Sequence, residues 1–191
     1  MYHILTKNRI SPAGLQVFDP NKYTCGDDVK DPDGILVHST PLHDMEFGPD
    51  MKAIVRVGAG VNTIPVDRCS QQGIVVFNTP GGNANAVKEL AIASMIFAVR
   101  NAGAASAWVQ TLKGKDTEPG KAVEKGKEVF RGPEIAGKRI GVIGVGSIGS
   151  RMAKALTALG MYVVGYDPYL TPQTVEELRP YVSMVEDLRE I

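Results

Sequence analysis

The fold of this chain is decided by the stretch KRIGVIGVGSIG, residues 138–149. A basic pair and the apolar run after it predict a buried parallel strand at residues 138–143, and glycines spaced G-x-G-x-x-G follow it. Apolar residues then recur every three or four positions, which predicts an amphipathic helix that ends at Gly160. Residues 161–167 are again apolar and predict the next strand. This pattern indicates a β-α-β unit of a doubly wound parallel sheet.

The residues of the glycine loop have distinct predicted roles. Gly144 permits the tight turn out of the strand, Gly146 lets the backbone approach a pyrophosphate, and Gly149 lets the helix pack closely on the sheet. Ser147 and Ile148 supply the unpaired N–H groups at the start of the helix, which suit an anion. We therefore expect this loop to bind the pyrophosphate of a dinucleotide.

An acidic residue ends the second strand of the unit. Asp167 follows the glycine loop by about 20 residues, where a carboxylate can accept both ribose hydroxyls of an adenosine. A 2′-phosphate would be repelled there, and residues 168–171 contain no Arg or Lys to receive it. NAD is therefore the predicted cofactor, rather than NADP. The alternative interpretation is a structural glycine turn with a capping aspartate.

The first half of the chain alternates short apolar runs with longer connections. Strands are predicted at residues 2–6, 34–38, 53–57 and 74–77, and a short helix is predicted to open at Ser11-Pro12. From Asn85 a long helix follows that is apolar on nearly all sides, which predicts that it is buried. A surface linker is predicted for residues 114–132 and a helix for residues 185–191. The domain boundary is placed near residue 98.

The composition excludes several classes of partner. Lys and Arg total 21, as do Asp and Glu, so no excess of basic charge is available for a nucleic acid or an anionic membrane. The most apolar segment, residues 90–99, is half the ~20 residues that a membrane span needs. Cys25 and Cys69 are isolated, and the N-terminus lacks the pattern of a signal peptide. These features predict a cytoplasmic protein with no nucleic-acid, membrane or metal partner.

Three motifs follow one another in the order of a known family. They are RVGAGVN at residues 56–62, VFNTPGGNANAVKE at 76–89 and GKRIGVIG at 137–144. Together they resemble the D-2-hydroxyacid dehydrogenases, and among these the members that oxidise 3-phosphoglycerate. The resemblance implies an α/β fold with a flavodoxin-like substrate domain in residues 1–98 and an incomplete Rossmann NAD-binding domain in residues 99–191. It also implies a homodimer formed through residues 101–128.

The resemblance further implies an activity and its binding residues. The expected reaction is NAD-dependent oxidation of a D-2-hydroxy acid, 3-phosphoglycerate to 3-phosphohydroxypyruvate, in serine biosynthesis. Arg56 and the amides of Val57 and Gly58 are expected to hold the carboxylate or phosphate of the substrate, as a guanidinium fork and a glycine-rich turn can. Thr79 matches a threonine that contacts the cofactor. The alternatives are a surface cation at a strand end for Arg56 and a turn residue for Thr79.

The sequence departs from the family at His38, where Arg is common, and at Lys88, where a small residue is usual. His38 is interpreted as structural. The Arg, Glu and His that perform catalysis in the family would lie beyond Ile191, so no catalytic residue is assigned. The chain is expected to be an inactive fragment or a truncated product, with the strand before the glycine loop unpaired on one side.

Two other functions remain open from the sequence. One is a different 2-hydroxyacid or 2-ketoacid specificity, such as glyoxylate, which residues around Arg56 would decide. The other is a non-catalytic module that senses NAD with the same fold. A gene that also encodes the missing Arg, Glu and His would exclude the second.

Overall fold

The chain forms two compact units in the computed structural model, which describes residues 1–114 and 118–191. The first unit is Met1–Asn83 and the second is Ala84–Ile191. The linker expected at residues 114–132 forms the helix α5 (Pro119–Gly126) and a 3-10 segment (Lys127–Phe130) in its described part. Residues 115–117 of that linker lie outside the described residues.

The first unit is built on a five-stranded sheet in the order β2-β1-β3-β4-β5, in which all neighbours are parallel. Its core lies around Ile35, Val37 and Ile54, which are almost fully buried. Because the strands are parallel, their carboxyl ends lie along one edge. The strands are β1 (Tyr2–Lys7), β2 (Tyr23–Gly26), β3 (Gly34–Val37), β4 (Ala53–Arg56) and β5 (Val75–Asn78), and the helices are α1 (Pro12–Leu15) and α2 (Val66–Gln71).

The second unit contains the predicted β-α-β pattern within a parallel three-stranded sheet, in the order β6-β7-β8. Its core packs the helix α6 (Gly149–Ala158) on the sheet through Ala153 and Leu156, together with Val145 from the glycine loop. Its strands are β6 (Arg139–Ile143), β7 (Tyr162–Tyr166) and β8 (Ser183–Met184), and its other helices are α3 (Ala84–Val99), α4 (Ala102–Gln110) and α7 (Pro172–Leu178).

The long helix α3 differs in two ways from the sequence expectation. It belongs to the second unit, because Ile92 and Met95 pack against the core that contains α6, so the units divide after Asn83 rather than near residue 98. It is also not buried on all sides, since the side chains of Leu90 and Phe97 are 70% and 56% exposed. An apolar composition on every face cannot by itself show which faces have partners.

The prediction of a helix at residues 185–191 is wrong. A single 3-10 turn, Leu188–Glu190, forms there, because Asp187 caps it by accepting a hydrogen bond from the backbone N–H of Arg189 at 2.9 Å. Ile191 then packs against Gly141 of β6, where a side chain would collide with it. One face of β6 is therefore covered by the end of the chain at Gly141.

Among residues 1–114 and 118–191, no single helix is long and apolar enough to span a membrane. The consecutive helices α3 and α4 reach the required length and apolarity only together, and they are bent by 66° relative to each other.

Candidate functional site

The glycine loop between β6 and α6 is a tight turn that only glycine fits. Gly144 has a φ of +84°, in the left-handed region that L side chains avoid, and its N–H donates to the carbonyl of Tyr166 at 2.8 Å. A Cβ on the buried Gly149 would overlap the carbonyl oxygen of Gly144. The first and third glycines therefore have the structural roles that the sequence predicted.

The amino end of α6 presents free backbone donors. The N–H groups of Gly146, Ser147 and Ile148 donate to no acceptor among the described residues. A Cβ on Gly146 would meet nothing within 4 Å, so open space lies above the second glycine. Unpaired N–H groups at the positive end of a helix dipole attract phosphate, and the residues present therefore fit a pyrophosphate.

Asp167 lies directly after β7, beside this loop. Its Oδ2 accepts a hydrogen bond from the N–H of Val145 at 2.9 Å, and its Oδ1 accepts one from the N–H of Tyr169 at 3.0 Å. Each carboxylate oxygen can accept a further hydrogen bond, so two ribose hydroxyls can still be bound. The position of Asp167 was expected from the sequence, whereas its contact with the glycine loop was not.

A cavity of about 400 Å³ opens next to Asp167. Its wall combines apolar side chains with polar groups at the ends of β7 and β8, which is the environment that a heterocyclic ring prefers. Apart from Asp167, the sequence pattern could not identify these residues, because β8 is only two residues long and carries no motif. They are Tyr166, Asp167, Pro168, Val175, Met184, Val185 and Glu186.

Arg56 ends β4 at the carboxyl edge of the first sheet, paired in register with Val37 of β3. Its guanidinium lies against Gly58, where any side chain would overlap it. The Nε atom of Arg56 is buried and has no hydrogen-bond partner among the described residues. A cation with an unpaired buried donor beside a glycine turn suits an anionic ligand.

The sequence predicted that the amides of Val57 and Gly58 bind the substrate, and the loop after Arg56 shows that both are already bonded. The N–H of Val57 donates to the carbonyl of Val37 at 2.7 Å, and that of Gly58 donates to Thr79 Oγ1 at 2.8 Å. Neither amide is free for a substrate, because each already has an acceptor within the first unit. The next three amides, those of Ala59, Gly60 and Val61, donate to no acceptor among the described residues.

Thr79, the residue directly after β5, holds this loop in place. Its hydroxyl accepts the hydrogen bond from Gly58, and its N–H donates to the carbonyl of Gly58 at 2.9 Å. Thr79 thus has a definite structural role in the first unit. Its contact with a cofactor stays a prediction.

Asn8 is a residue of this edge that the sequence did not reveal. It follows β1 in the left-handed conformation, with a φ of +70°. Its Oδ1 accepts hydrogen bonds from three consecutive backbone N–H groups, those of His38 at 3.3 Å, Ser39 at 2.8 Å and Thr40 at 2.9 Å. A single side-chain oxygen therefore holds the turn after β3.

The described histidines and acids do not form a metal site: no group of three or more His, Cys, Asp or Glu side chains lies together among them. His43 Nε2 lies 3.0 Å from the carbonyl oxygen of Asn62 in the first unit. His38 is held at the turn after β3 through its backbone N–H, as described above.

A glycine loop at a helix start, an aspartate after the next strand and an adjacent cavity define a dinucleotide-binding unit of the parallel α/β class. The chain belongs to the D-isomer specific 2-hydroxyacid dehydrogenases, because the NAD-binding domain of that family matches residues 92–191. NAD is the cofactor of this domain.

Named relatives agree with this membership. D-3-phosphoglycerate dehydrogenase of Mycobacterium tuberculosis is 33% identical over 163 residues, which are 84% of this chain and 29% of that protein. A hydroxypyruvate reductase of Thermotoga maritima is 38% identical over 124 residues, 65% of this chain and 37% of that protein. This chain therefore spans only about a third of the length of these relatives.

A solved structure is similar in fold over almost the whole chain. It is the NAD+-bound 3-phosphoglycerate dehydrogenase of Entamoeba histolytica, which matches with a TM-score of 0.68 and 26% identity. The match covers 98% of this chain and 63% of that one.

Proposed function

We propose that this chain supplies substrate-binding and cofactor-binding units for the NAD-dependent oxidation of 3-phosphoglycerate to 3-phosphohydroxypyruvate. The observation that carries the proposal is the glycine loop with its free N–H groups beside Asp167, within the matched NAD-binding domain. The first unit has the strand order of flavodoxin-like folds, which bind ligands at the carboxyl edge of the sheet. We assign the substrate to that edge.

In this proposal the second unit binds NAD and the first unit binds the substrate. NAD, when bound, accepts a hydride from the hydroxyl-bearing carbon of the substrate. The N–H groups of Gly146, Ser147 and Ile148 bind the pyrophosphate, and Asp167 binds the adenosine ribose. The guanidinium of Arg56 binds a carboxylate or phosphate oxygen of the substrate. No described residue is assigned as the base that removes the hydroxyl proton.

The free amides that follow Arg56 complete the proposed anion site of the first unit. Ala59 and Gly60 replace Val57 and Gly58 as donors, because the amides of the latter pair are already bonded. Successive free N–H groups beside a guanidinium can hold an anion from two sides.

Replacing Arg56 tests the substrate site. We expect Arg56→Ala to weaken binding of 3-phosphoglycerate at least about tenfold, and Arg56→Lys to give an intermediate loss, because an ammonium lacks the planar fork of a guanidinium. The measurement is a titration followed by the backbone amide signals of Ala59 and Gly60. Lys22→Ala is the matched control, since Lys22 is an exposed cation just before β2, at the amino edge. Equal affinity in Arg56→Ala and the unchanged chain would contradict the assignment.

A second candidate is a reductase that acts on an unphosphorylated 2-ketoacid. His38 favours it, because the turn after β3 carries an imidazole where arginine is common in the family, and the Thermotoga maritima relative is named a hydroxypyruvate reductase. Competition separates the two functions. Displacement of 3-phosphoglycerate by an equal concentration of hydroxypyruvate or glyoxylate supports the reductase, whereas retention supports the phosphorylated substrate.

We further propose a homodimer that uses the segment from α4 to the 3-10 turn after α5. Trp108 of α4 packs on Phe130 with ring centroids 5.2 Å apart and lies against Gly126, so an aromatic contact joins α4 to α5 and the 3-10 turn. Val129 lies in the 3-10 turn and is 78% exposed. An exposed apolar side chain suits an interface.

Sedimentation of two charge variants tests the dimer. The unchanged chain should sediment at twice its 20.5 kDa mass, and Val129→Asp should shift it towards the monomer, because a buried unpaired carboxylate is costly at an interface. Val17→Asp is the control, since Val17 is 83% exposed but lies in the first unit. A monomeric unchanged chain, or equal effects of both variants, would exclude this interface.

A further inference from the structure

We propose that Asp167 is a positioning residue for the pyrophosphate loop in addition to being the ligand of the adenosine ribose. The proposal rests on the NAD-binding role given above and deepens it. One carboxylate would then couple two parts of the cofactor site, because the ribose ligand also sets where the phosphate donors point.

The carbonyls of Gly146 and Ile148 accept hydrogen bonds from the N–H groups of Ser150 and Met152 in α6, at 2.9 Å each, and three further contacts hold the glycine loop. At its start, the N–H of Gly144 donates to the carbonyl of Tyr166. At its end, Gly149 packs against the Gly144 carbonyl with no room for a side chain. Between them, the N–H of Val145 donates to Asp167 Oδ2 at 2.9 Å. Only the third contact depends on a polar side chain.

The hydrogen bond from Val145 to Asp167 is held in place by the packing around Val145. The side chain of Val145 is 1% exposed, and Gly165 of β7 leaves room for it, because a Cβ there would lie 3.0 Å from Val145 Cγ2. The amide of Val145 therefore cannot turn elsewhere without moving a buried side chain. A carboxylate acceptor makes this hydrogen bond stronger than one between neutral groups.

The position of Val145 influences where the N–H donors after it lie. The N–H groups of Gly146, Ser147 and Ile148 come next in the chain, and they are the free ones. The other oxygen of Asp167 is fixed by the N–H of Tyr169 at 3.0 Å, so the carboxylate joins the turn after β7 to the turn after β6. Loss of the acceptor should let the turn before the free donors shift.

The two roles of Asp167 predict opposite effects on a ligand that has no ribose. A carboxylate close to the phosphate donors repels an anion, so a residue that only binds ribose should hinder inorganic pyrophosphate. Its removal would then leave pyrophosphate affinity unchanged or increase it. A positioning residue should instead strengthen pyrophosphate binding, despite its charge.

Two neutral variants separate the charge from the acceptor. We expect Asp167→Ala to bind inorganic pyrophosphate about tenfold more weakly than Asp167→Asn, a difference of about 1.4 kcal/mol, because only the carboxamide can still accept from Val145. Asp167→Asn should bind it at least as well as the unchanged chain. Glu186→Gln, which removes a charge from the same cavity without contacting the loop, is the control for electrostatics. The affinity is read from the amide signals of Gly146 and Ser147.

Equal pyrophosphate affinities for Asp167→Ala and Asp167→Asn would overturn the inference. If the alanine variant fails to fold, hydrogen exchange of the Val145 amide in the unchanged chain is a second test. Slow exchange supports the hydrogen bond to Asp167, and fast exchange overturns it. Binding of NAD by the unchanged chain is a separate measurement. Its failure would count against the proposed function, whereas the contrast between the two variants addresses only the positioning role.

Discussion

A chain in which Gly149 is replaced by alanine should lose NAD binding and part of the stability of its second unit. The added Cβ would overlap the carbonyl oxygen of Gly144, whose N–H is bonded to Tyr166 of β7, and lie 3.2 Å from Cγ1 of Val142 in β6. Overpacking of this kind costs about 1 to 3 kcal/mol, because backbone rather than a flexible side chain must move. The same shift would displace the free N–H groups of the loop, so we expect at least about a tenfold loss of NAD affinity.

Gly146→Ala provides the matched comparison, because the second glycine is not packed against anything. A Cβ there meets no atom within 4 Å, and unfolding of the second unit should therefore be unchanged. NAD binding should nevertheless weaken, since the methyl group would fill the space through which a pyrophosphate approaches the backbone. Ser147→Ala should leave both properties unchanged, because only the backbone N–H of Ser147 is proposed to bind.

Urea unfolding of the second unit and a fluorescence titration with NADH measure the two properties separately. The prediction is a specific pattern: Gly149→Ala loses stability and affinity, Gly146→Ala loses affinity alone, and Ser147→Ala loses neither. An alanine at position 149 with unchanged stability would mean that the helix does not approach the loop as closely as described.

The β-α-β pattern was predictable because each of its parts is local in sequence. A strand, a glycine turn and an amphipathic helix all leave periodic signals within a few residues, so the expected strand at 138–143 differs from β6 by one residue. β2 was missed for the opposite reason. It is four residues long and lies at the edge of the sheet, where partial burial leaves no continuous apolar run.

The contacts that shape the candidate site could not be read from the sequence, because they join residues far apart in the chain. The motif located the loop after Arg56, yet only the structure shows that Thr79 and Val37 already accept its first two N–H groups. The link from Asp167 to Val145 likewise spans the whole helix α6. Motifs thus predict which segments form a site, whereas the allocation of donors depends on packing.

Replacing Asn8 should have the largest effect on the first unit among its exposed polar residues. Asn8→Ala forces a residue with a Cβ to keep a φ of +70°, which costs about 1 to 2 kcal/mol, and it removes the acceptor of three backbone N–H groups. Because water can reach these groups, we expect a total loss of about 2 to 3 kcal/mol in the free energy of unfolding. The measurement is urea unfolding followed by the amide signals of β1 and β3.

Two further variants divide this loss into its causes. Asn8→Gly accepts the positive φ but lacks the oxygen, so it should lose about half as much as Asn8→Ala. Asn21→Ala, which removes an exposed asparagine of the same unit whose side chain donates to Asp19, should change stability by less than about 0.5 kcal/mol. Equal losses in Asn8→Gly and Asn8→Ala would show that the hydrogen bonds, and not the backbone conformation, account for the whole effect.

Asn8→Asp turns the same contact into a pH-dependent one. Three N–H donors favour the charged carboxylate, so its pKa in the folded chain should fall below the unfolded value of about 3.9. The added stability should be fully present above that value and be lost as the pH falls through the lower, folded pKa. The new negative charge, on the edge that carries Arg56, should also weaken 3-phosphoglycerate binding. A variant that is stabilised at pH 7 but binds the substrate as well as the unchanged chain would place the substrate away from the turn after β3.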